Sequence, residues 1–170
     1  MELFKEIQPE EISENTFKLI GKDWMLVASS FDGKTNAMTA SWGGFGVLWG
    51  KNVAYIVVRP QRYTKNFIDK SNKFSITFFD DSYKSMLAYM GKISGRDEDK
   101  IKNSGLTLDE NSPIPLFKEG KLTAQCKVLY KQNLSPESFL DTEIISKWYP
   151  DSDYHMLYVA EIEKVYIKSN

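Results

Sequence analysis

The sequence predicts a mainly β protein, a closed or partly closed barrel with a few short α-helices at its outside or ends. Three observations predict it. Segments rich in β-branched and aromatic residues recur along the chain, turn signals separate them, and the stretches of helical periodicity between them are short. At 170 residues with 42% hydrophobic content, the chain reads as one domain, 1–170, because division would leave each half with a marginal core. No internal repeat, low-complexity stretch or linker breaks it.

Met25 to Ser30 reads as a strand and Phe31 to Asn36 as a turn, since Asp32-Gly33 suits the positive-φ positions of a tight hairpin. Ala37 to Trp42 returns as its partner. Asn52 to Arg59 and Lys73 to Phe79 are further strands of one sheet, the second with Phe74, Ile76 and Phe78 on one face. Between them, Tyr63, Phe67 and Ile68 fall at helical spacing after Pro60, whose fixed φ and missing donor suit a helix's first turn.

Ser82 to Met90 carries Tyr83, Met86, Leu87 and Met90 at helical intervals, with Gly91 as its stop. Ser94-Gly95-Arg96-Asp97 offers a variant capping box, and a helix from Asp97 ends at Gly105. Asn111 to Pro115 is a loop. Lys121 to Lys131 reads as a strand with Leu122, Ala124, Cys126, Val128 and Tyr130 pointing inward, and Tyr154 to Ile167 as one long strand or two with a bend. Glu143 to Trp148 shows no deciding pattern.

Composition narrows the function classes. Twenty-two basic and 23 acidic residues give a net charge of −1, which argues against a nucleic-acid binder dependent on a basic surface. Cys126 is the only cysteine, so no internal disulfide forms, and no basic-then-apolar leader opens the chain; both point to the cytoplasm. No apolar run approaches the roughly 20 residues of a membrane span. One histidine and one cysteine cannot make a usual zinc site, and neither a nucleophile elbow nor a Gly-x-Gly-x-x-Gly fingerprint occurs; Gly43-Gly44-Phe45-Gly46 is merely glycine-rich.

Two segments stand out against this background. Asn36-Ala37-Met38-Thr39-Ala40-Ser41-Trp42 gathers short hydroxyls and an indole at the end of a strand, a setting for a flat heteroaromatic ring, although alternating Thr and Ser also occur in ordinary strands. Arg59-Pro60-Gln61-Arg62-Tyr63-Thr64 places forked cationic donors and two hydroxyls at the start of a helix, where free N–H groups and the helix dipole favour an anion such as phosphate. Ser94-Gly95-Arg96, with Lys92 beside it, is either a further anion-holding turn or a plain helix cap. His155 opens the last strand, the usual place of a surface or hydrogen-bonded histidine.

The paired segments resemble the flavin reductase-like branch of the FMN-binding split β-barrels, and the likeness runs from about Trp24 to Lys168. The resemblance implies a split barrel with peripheral helices and FMN as cofactor. It puts Asn36, Met38, Thr39, Ala40, Ser41 and Trp42 beside the ring, and Arg59, Arg62, Tyr63 and Thr64 at the phosphate and ribityl end. Lys92, Ser94, Gly95, Arg96 and His155 come near the cofactor by the same likeness. It further implies a homodimer with FMN near the interface, NADH or NADPH as a transient electron donor, and either a second acceptor or, in a flavoredoxin-like carrier, a redox protein partner. A non-catalytic β-barrel binding module is the alternative from outside flavin chemistry.

Overall fold

A computed structural model describes residues 3–169. Eight strands form one antiparallel sheet: β1 (Phe4–Ile7), β2 (Met25–Phe31), β3 (Lys34–Ala40), β4 (Gly43–Leu48), β5 (Lys51–Val58), β6 (Lys73–Phe78), β7 (Leu122–Asn133) and β8 (Met156–Lys168). Neighbours follow the order β3-β2-β6-β7-β8-β5-β4, with β1 paired to the far end of β8. The two ends of this order, β3 and β4, are consecutive in the chain and separated only by Ser41 and Trp42. Three Cα steps of about 3.8 Å keep those ends within about 11 Å of each other, so the sheet must roll until its edges meet. It becomes a barrel with an unpaired seam between β3 and β4.

The core explains why the strands read as they do. Met25 and Val27 of β2 join the barrel interior with Phe74, Ile76, Phe78, Ala124, Cys126 and Tyr158. Leu26 and Ala28, on the opposite face, pack beneath Leu87, Met90, Leu106 and Phe117. A strand covered on both faces needs apolar residues at every position, which is why Met25 to Ala28 shows no alternation. Each large side chain withdrawn from water in this way contributes about 1.5–3 kcal/mol.

Five helices cover the barrel or close its ends: α1 (Thr16–Lys18), continued by a wider turn at Leu19–Asp23, α2 (Thr64–Ser71), α3 (Lys84–Lys92), α4 (Lys100–Ser104) and α5 (Glu143–Trp148). The hairpin expected at Asp32-Gly33 is present, both residues having positive φ (52° and 68°) as the tight turn requires. The turn is shorter than the sequence reading. β3 therefore starts at Lys34, and Trp42 lies beyond it in the seam linker.

Other elements also differ from expectation. Pro60 is not in the first turn of α2; it lies in a separate turn closed by Arg62 N–H donating to the Arg59 carbonyl at 3.1 Å. Gly91 lies inside α3 instead of ending it, because a β-carbon there would stand 3.3 Å from that of Thr39 where the helix crosses β3. α4 begins at Lys100, capped by Asp99 and not by Ser94, while Gly105 ends it in the left-handed region as expected. In β7 the register shifts near Cys126 and between Val128 and Tyr130, and these irregularities turn Tyr130 outward.

β1, α1 with its continuation, β4 and α5 had no sequence reading. β4 was obscured by its glycines: a β-carbon on Gly44 would come within 2.5 Å of the ring of Tyr55, its cross-strand partner. There the missing side chain makes room for the tyrosine across the ladder.

Candidate functional site

The seam opens into a cleft of about 420 Å³. One wall is Met38 to Trp42, from the end of β3 and the linker; the facing wall is Val57, Val58 and Arg59, from the end of β5. Arg62 closes one end, and Trp148 and His155 close the other side. Among the described residues β3 and β4 do not pair with each other, and the cleft lies beside the linker between them.

Arg62 is half-buried and turned inward. It donates to the Gly91 carbonyl at 2.8 Å, with longer contacts to Thr39 O and Met38 Sδ, each at 3.4 Å. Lys100 is nearly fully buried, and its Nζ donates to the Met90 and Ile93 carbonyls, both at 2.9 Å. These two cations cap the C-terminus of α3, the negative end of its dipole. Neither has a carboxylate within ion-pair distance among the described residues. Burial lowers the pKa of Arg62; burial first, and then the charge of Arg62, lowers that of Lys100 to about 8. Three of the five guanidinium N–H groups are engaged. Arg62 itself lines the cleft.

Arg59, by contrast, is already matched. It pairs with Asp153 at 2.5 Å, donates to the Trp148 carbonyl at 2.8 Å, and lies 5.3 Å above the Tyr149 ring. Gln61 donates to the other Asp153 oxygen at 2.9 Å, and these two bonds, the Gln61 bond first, hold the Asp153 carboxyl below its usual pKa. Arg96 donates to the Gln61 carbonyl and covers the Tyr63 ring at 4.7 Å. At the start of α2, the N–H groups of Arg62, Lys65 and Asn66 are used in turns. Those of Tyr63 and Thr64 have no acceptor among the described residues.

An aromatic corner forms the remaining wall. Trp42 meets Trp148 edge to face, with centroids 4.9 Å apart, and His155 at 5.1 Å. His155 is buried, and its Nδ1 lies 2.8 Å from the Tyr149 hydroxyl. Burial first and the Arg59 charge second lower its pKa to about 4, so the imidazole is neutral at pH 7.

Of the residues singled out from sequence, Met38, Thr39, Ala40, Ser41, Trp42, Arg59, Arg62 and His155 line this one cleft. The Thr39 hydroxyl is committed to the Leu87 carbonyl at 2.5 Å. Asn36 and Thr64 are buried behind the cleft, where the Asn36 amide donates to the Thr64 hydroxyl at 2.8 Å. Tyr63, Gly95 and Arg96 line a neighbouring groove together with Asn36. Gly95 leaves no room for a side chain, since a β-carbon there would fall 1.9 Å from Asn36 Oδ1. Lys92 and Ser94 lie in neither space.

Lys100 and the Trp148–Tyr149 pair were missed as site residues. Lys100, which lines the neighbouring groove behind Arg62, has the sequence setting of any surface lysine in a short charged helix. Trp148 ends α5 and Tyr149 follows it, in a segment with no deciding sequence pattern.

An antiparallel barrel with a split seam and a cationic, aromatic-walled cleft is the class of protein that this geometry defines. The family model for the flavin reductase like domain matches residues 18–170, and the chain belongs to that family. Solved structures agree on the fold. An FMN-binding domain of a flavin reductases-like enzyme from Shewanella baltica OS155 superposes with a TM-score of 0.71 at 18% identity, covering 97% of this chain and 77% of that one. Flavoredoxin of Desulfovibrio vulgaris (Miyazaki F) gives 0.67 at 19%, covering 96% and 78%. Flavoredoxin from Methanosarcina acetivorans gives 0.64 at 23%, covering 86% and 69%. No curated protein sequence matches the chain closely. The fold is a split barrel of the flavin reductase-like type.

Proposed function

We propose that the seam cleft binds FMN and that the protein is an FMN-dependent oxidoreductase that passes electrons from NADH or NADPH to a second acceptor. The observation that carries this reading is Arg62, which lacks a carboxylate partner among the described residues and is backed by the buried Lys100 of the neighbouring groove, in a cleft also walled by Trp42 and Trp148. An anion relieves the repulsion between the two cations, and a flat ring fills the aromatic end. The volume of about 420 Å³ lies within the roughly 300–1,000 Å³ of small-molecule sites.

The residues present fit such a group. Arg62 would hold the phosphate with its free N–H groups, helped by the unpaired N–H groups at the start of α2. Trp42 and the backbone of Thr39 to Ser41 would hold the ring, and Trp148 would exclude water from one side. FMN supplies the hydride and electron chemistry that the lining side chains lack. The protein's part is to orient the ring, keep it partly dry and leave one side open to the nicotinamide.

A homodimer is part of this proposal. Trp49 (58% exposed), Val47 (73%), Tyr55 and Tyr130 leave apolar surface on the β4–β5 hairpin and the adjoining end of β7. A second copy would cover such a surface. Similarity to two flavoredoxins favours a second reading, an FMN carrier served by a redox protein partner.

The test begins with the absorption spectrum of protein purified without added flavin, followed by FMN titration monitored by tryptophan fluorescence. Quenching of Trp42 and Trp148 at stoichiometric FMN is expected. No binding would leave a non-catalytic barrel. Anaerobic stopped-flow mixing with NADH and NADPH then separates the two redox readings: bleaching of the flavin band supports the reductase, and bleaching only by a reduced protein supports the carrier.

A further inference from the structure

His155 is the one histidine in the chain, buried at the threshold of β8 and lining the cleft. Its Nδ1 and the Tyr149 hydroxyl form a hydrogen bond whose direction follows from what each atom can reach. Tyr149 is 4% exposed, and its oxygen has no other hydrogen-bond partner among the described residues. If Nδ1 donated, the phenol proton would be buried without an acceptor, at a cost exceeding the net worth of the bond. Burial raises the tyrosine pKa, so the phenol keeps its proton. The phenol therefore donates to the Nδ1 lone pair, and the single proton of the neutral imidazole is on Nε2.

The other side of the ring completes the argument. Nε2 has no partner among the described residues, yet it is not among the buried unpaired atoms, so it opens to the cleft that His155 lines beside Trp42. Tyr149 is itself held in place. Its ring stacks on Tyr154 at 4.8 Å with an interplanar angle of 26°, and the Arg59 guanidinium covers it.

We infer that Tyr149 is a positioning residue that locks His155 as its Nε2–H tautomer, so that His155 presents one fixed neutral donor to a carbonyl oxygen or bare ring nitrogen of the ligand. A ligand with an N–H at that place meets donor against donor and is disfavoured. Only the identity of the ligand rests on the FMN reading. The tautomer does not.

A single histidine makes the test unambiguous: ¹⁵N-labelled wild-type protein gives one imidazole in long-range ¹H–¹⁵N spectra. At pH 7 a protonated Nε2 and a bare Nδ1 are expected, and a protonated Nδ1 overturns the proposal without any variant having to fold. In Tyr149→Phe the Nδ1 resonance should move as its hydrogen bond disappears; an unmoved resonance overturns the positioning role.

Saturating FMN should shift the Nε2 proton, and Tyr149→Phe should weaken FMN about two- to tenfold, the range of one net hydrogen bond. His155→Gln, whose amide nitrogen reaches the Nε2 position, should retain affinity where His155→Asn does not. Equal losses in those two variants, or a static Nε2 proton, overturn the donor role. If FMN does not bind while the Nε2–H tautomer is found, the ligand reading fails and the tautomer lock stands.

Discussion

Replacing Arg62 with alanine tests whether this side chain is an anion ligand or only a structural pin, because the structure gives it both opportunities. Of its three protein contacts, the bond to the Gly91 carbonyl at 2.8 Å is strong, whereas those to Thr39 O and Met38 Sδ at 3.4 Å are marginal. Losing the first leaves one carbonyl short of a partner, about 1–3 kcal/mol of stability, or a Tm lower by about 2–4 °C per kcal/mol for a chain of this size. Phosphate recognition is a separate loss. A charge-assisted hydrogen bond is worth about 1.5–3 kcal/mol, so FMN should bind about 10- to 150-fold more weakly to Arg62→Ala. Riboflavin lacks the phosphate and should change by no more than about twofold. Isothermal calorimetry with both ligands, beside a melting curve, resolves the two effects. Equal weakening of FMN and riboflavin together with a lowered Tm would refute the anion role and leave Arg62 as a cap on α3.

Lys100 predicts a pH dependence. With its pKa lowered to about 8, the unfolded state binds its proton more tightly, so its contribution to stability is lost as pH falls through 8 and recovers as pH rises towards the ordinary lysine value. Lys100→Met should remove this rise in urea stability curves between about pH 8 and 10.5, and an unchanged pH profile would show the cation to be well solvated. Asp153→Asn frees Arg59 from its carboxylate and should tighten FMN by up to about fivefold, the range of a partly exposed ion pair. Weaker binding in that variant would mean that Asp153 holds Arg59 in its working position. Gly95→Ala must displace Asn36 and break its bond to Thr64, at about 1–3 kcal/mol, visible as a lower melting temperature; an unchanged Tm would mean that this turn yields freely. FMN at about 100 times its dissociation constant should stabilise the folded protein by roughly 2.7 kcal/mol, and light scattering should report a dimer; a monomer with no flavin-dependent shift would count against the proposed complex.

Local chemistry made much of this protein legible in its letters. The strands β2, β5, β6 and the first half of β7 are marked by runs of aliphatic, β-branched and aromatic residues, and Asp32-Gly33 imposes its turn through φ. The segments Met38–Trp42 and Arg59–Arg62 stood out through their pairing, short hydroxyls and an indole on one strand end and guanidinium groups before a helix on another, and through the family resemblance that this pairing carries. What could not be read from the letters depends on contacts between residues far apart in the chain. The side-chain chemistry of Arg59 does not disclose that Asp153, 94 positions later, neutralises it, while Arg62 finds Lys100 and no acid. β4 was hidden because its glycines make sense only beneath Tyr55, and α5 because its position over the cleft comes from the path between β7 and β8. The tautomer of His155 follows from a phenol six residues away that only the turn into β8 brings to 2.8 Å. Periodicity and turn chemistry act over a few residues, whereas compensation of charge and satisfaction of buried hydrogen bonds are settled across the whole barrel, after the seam has closed.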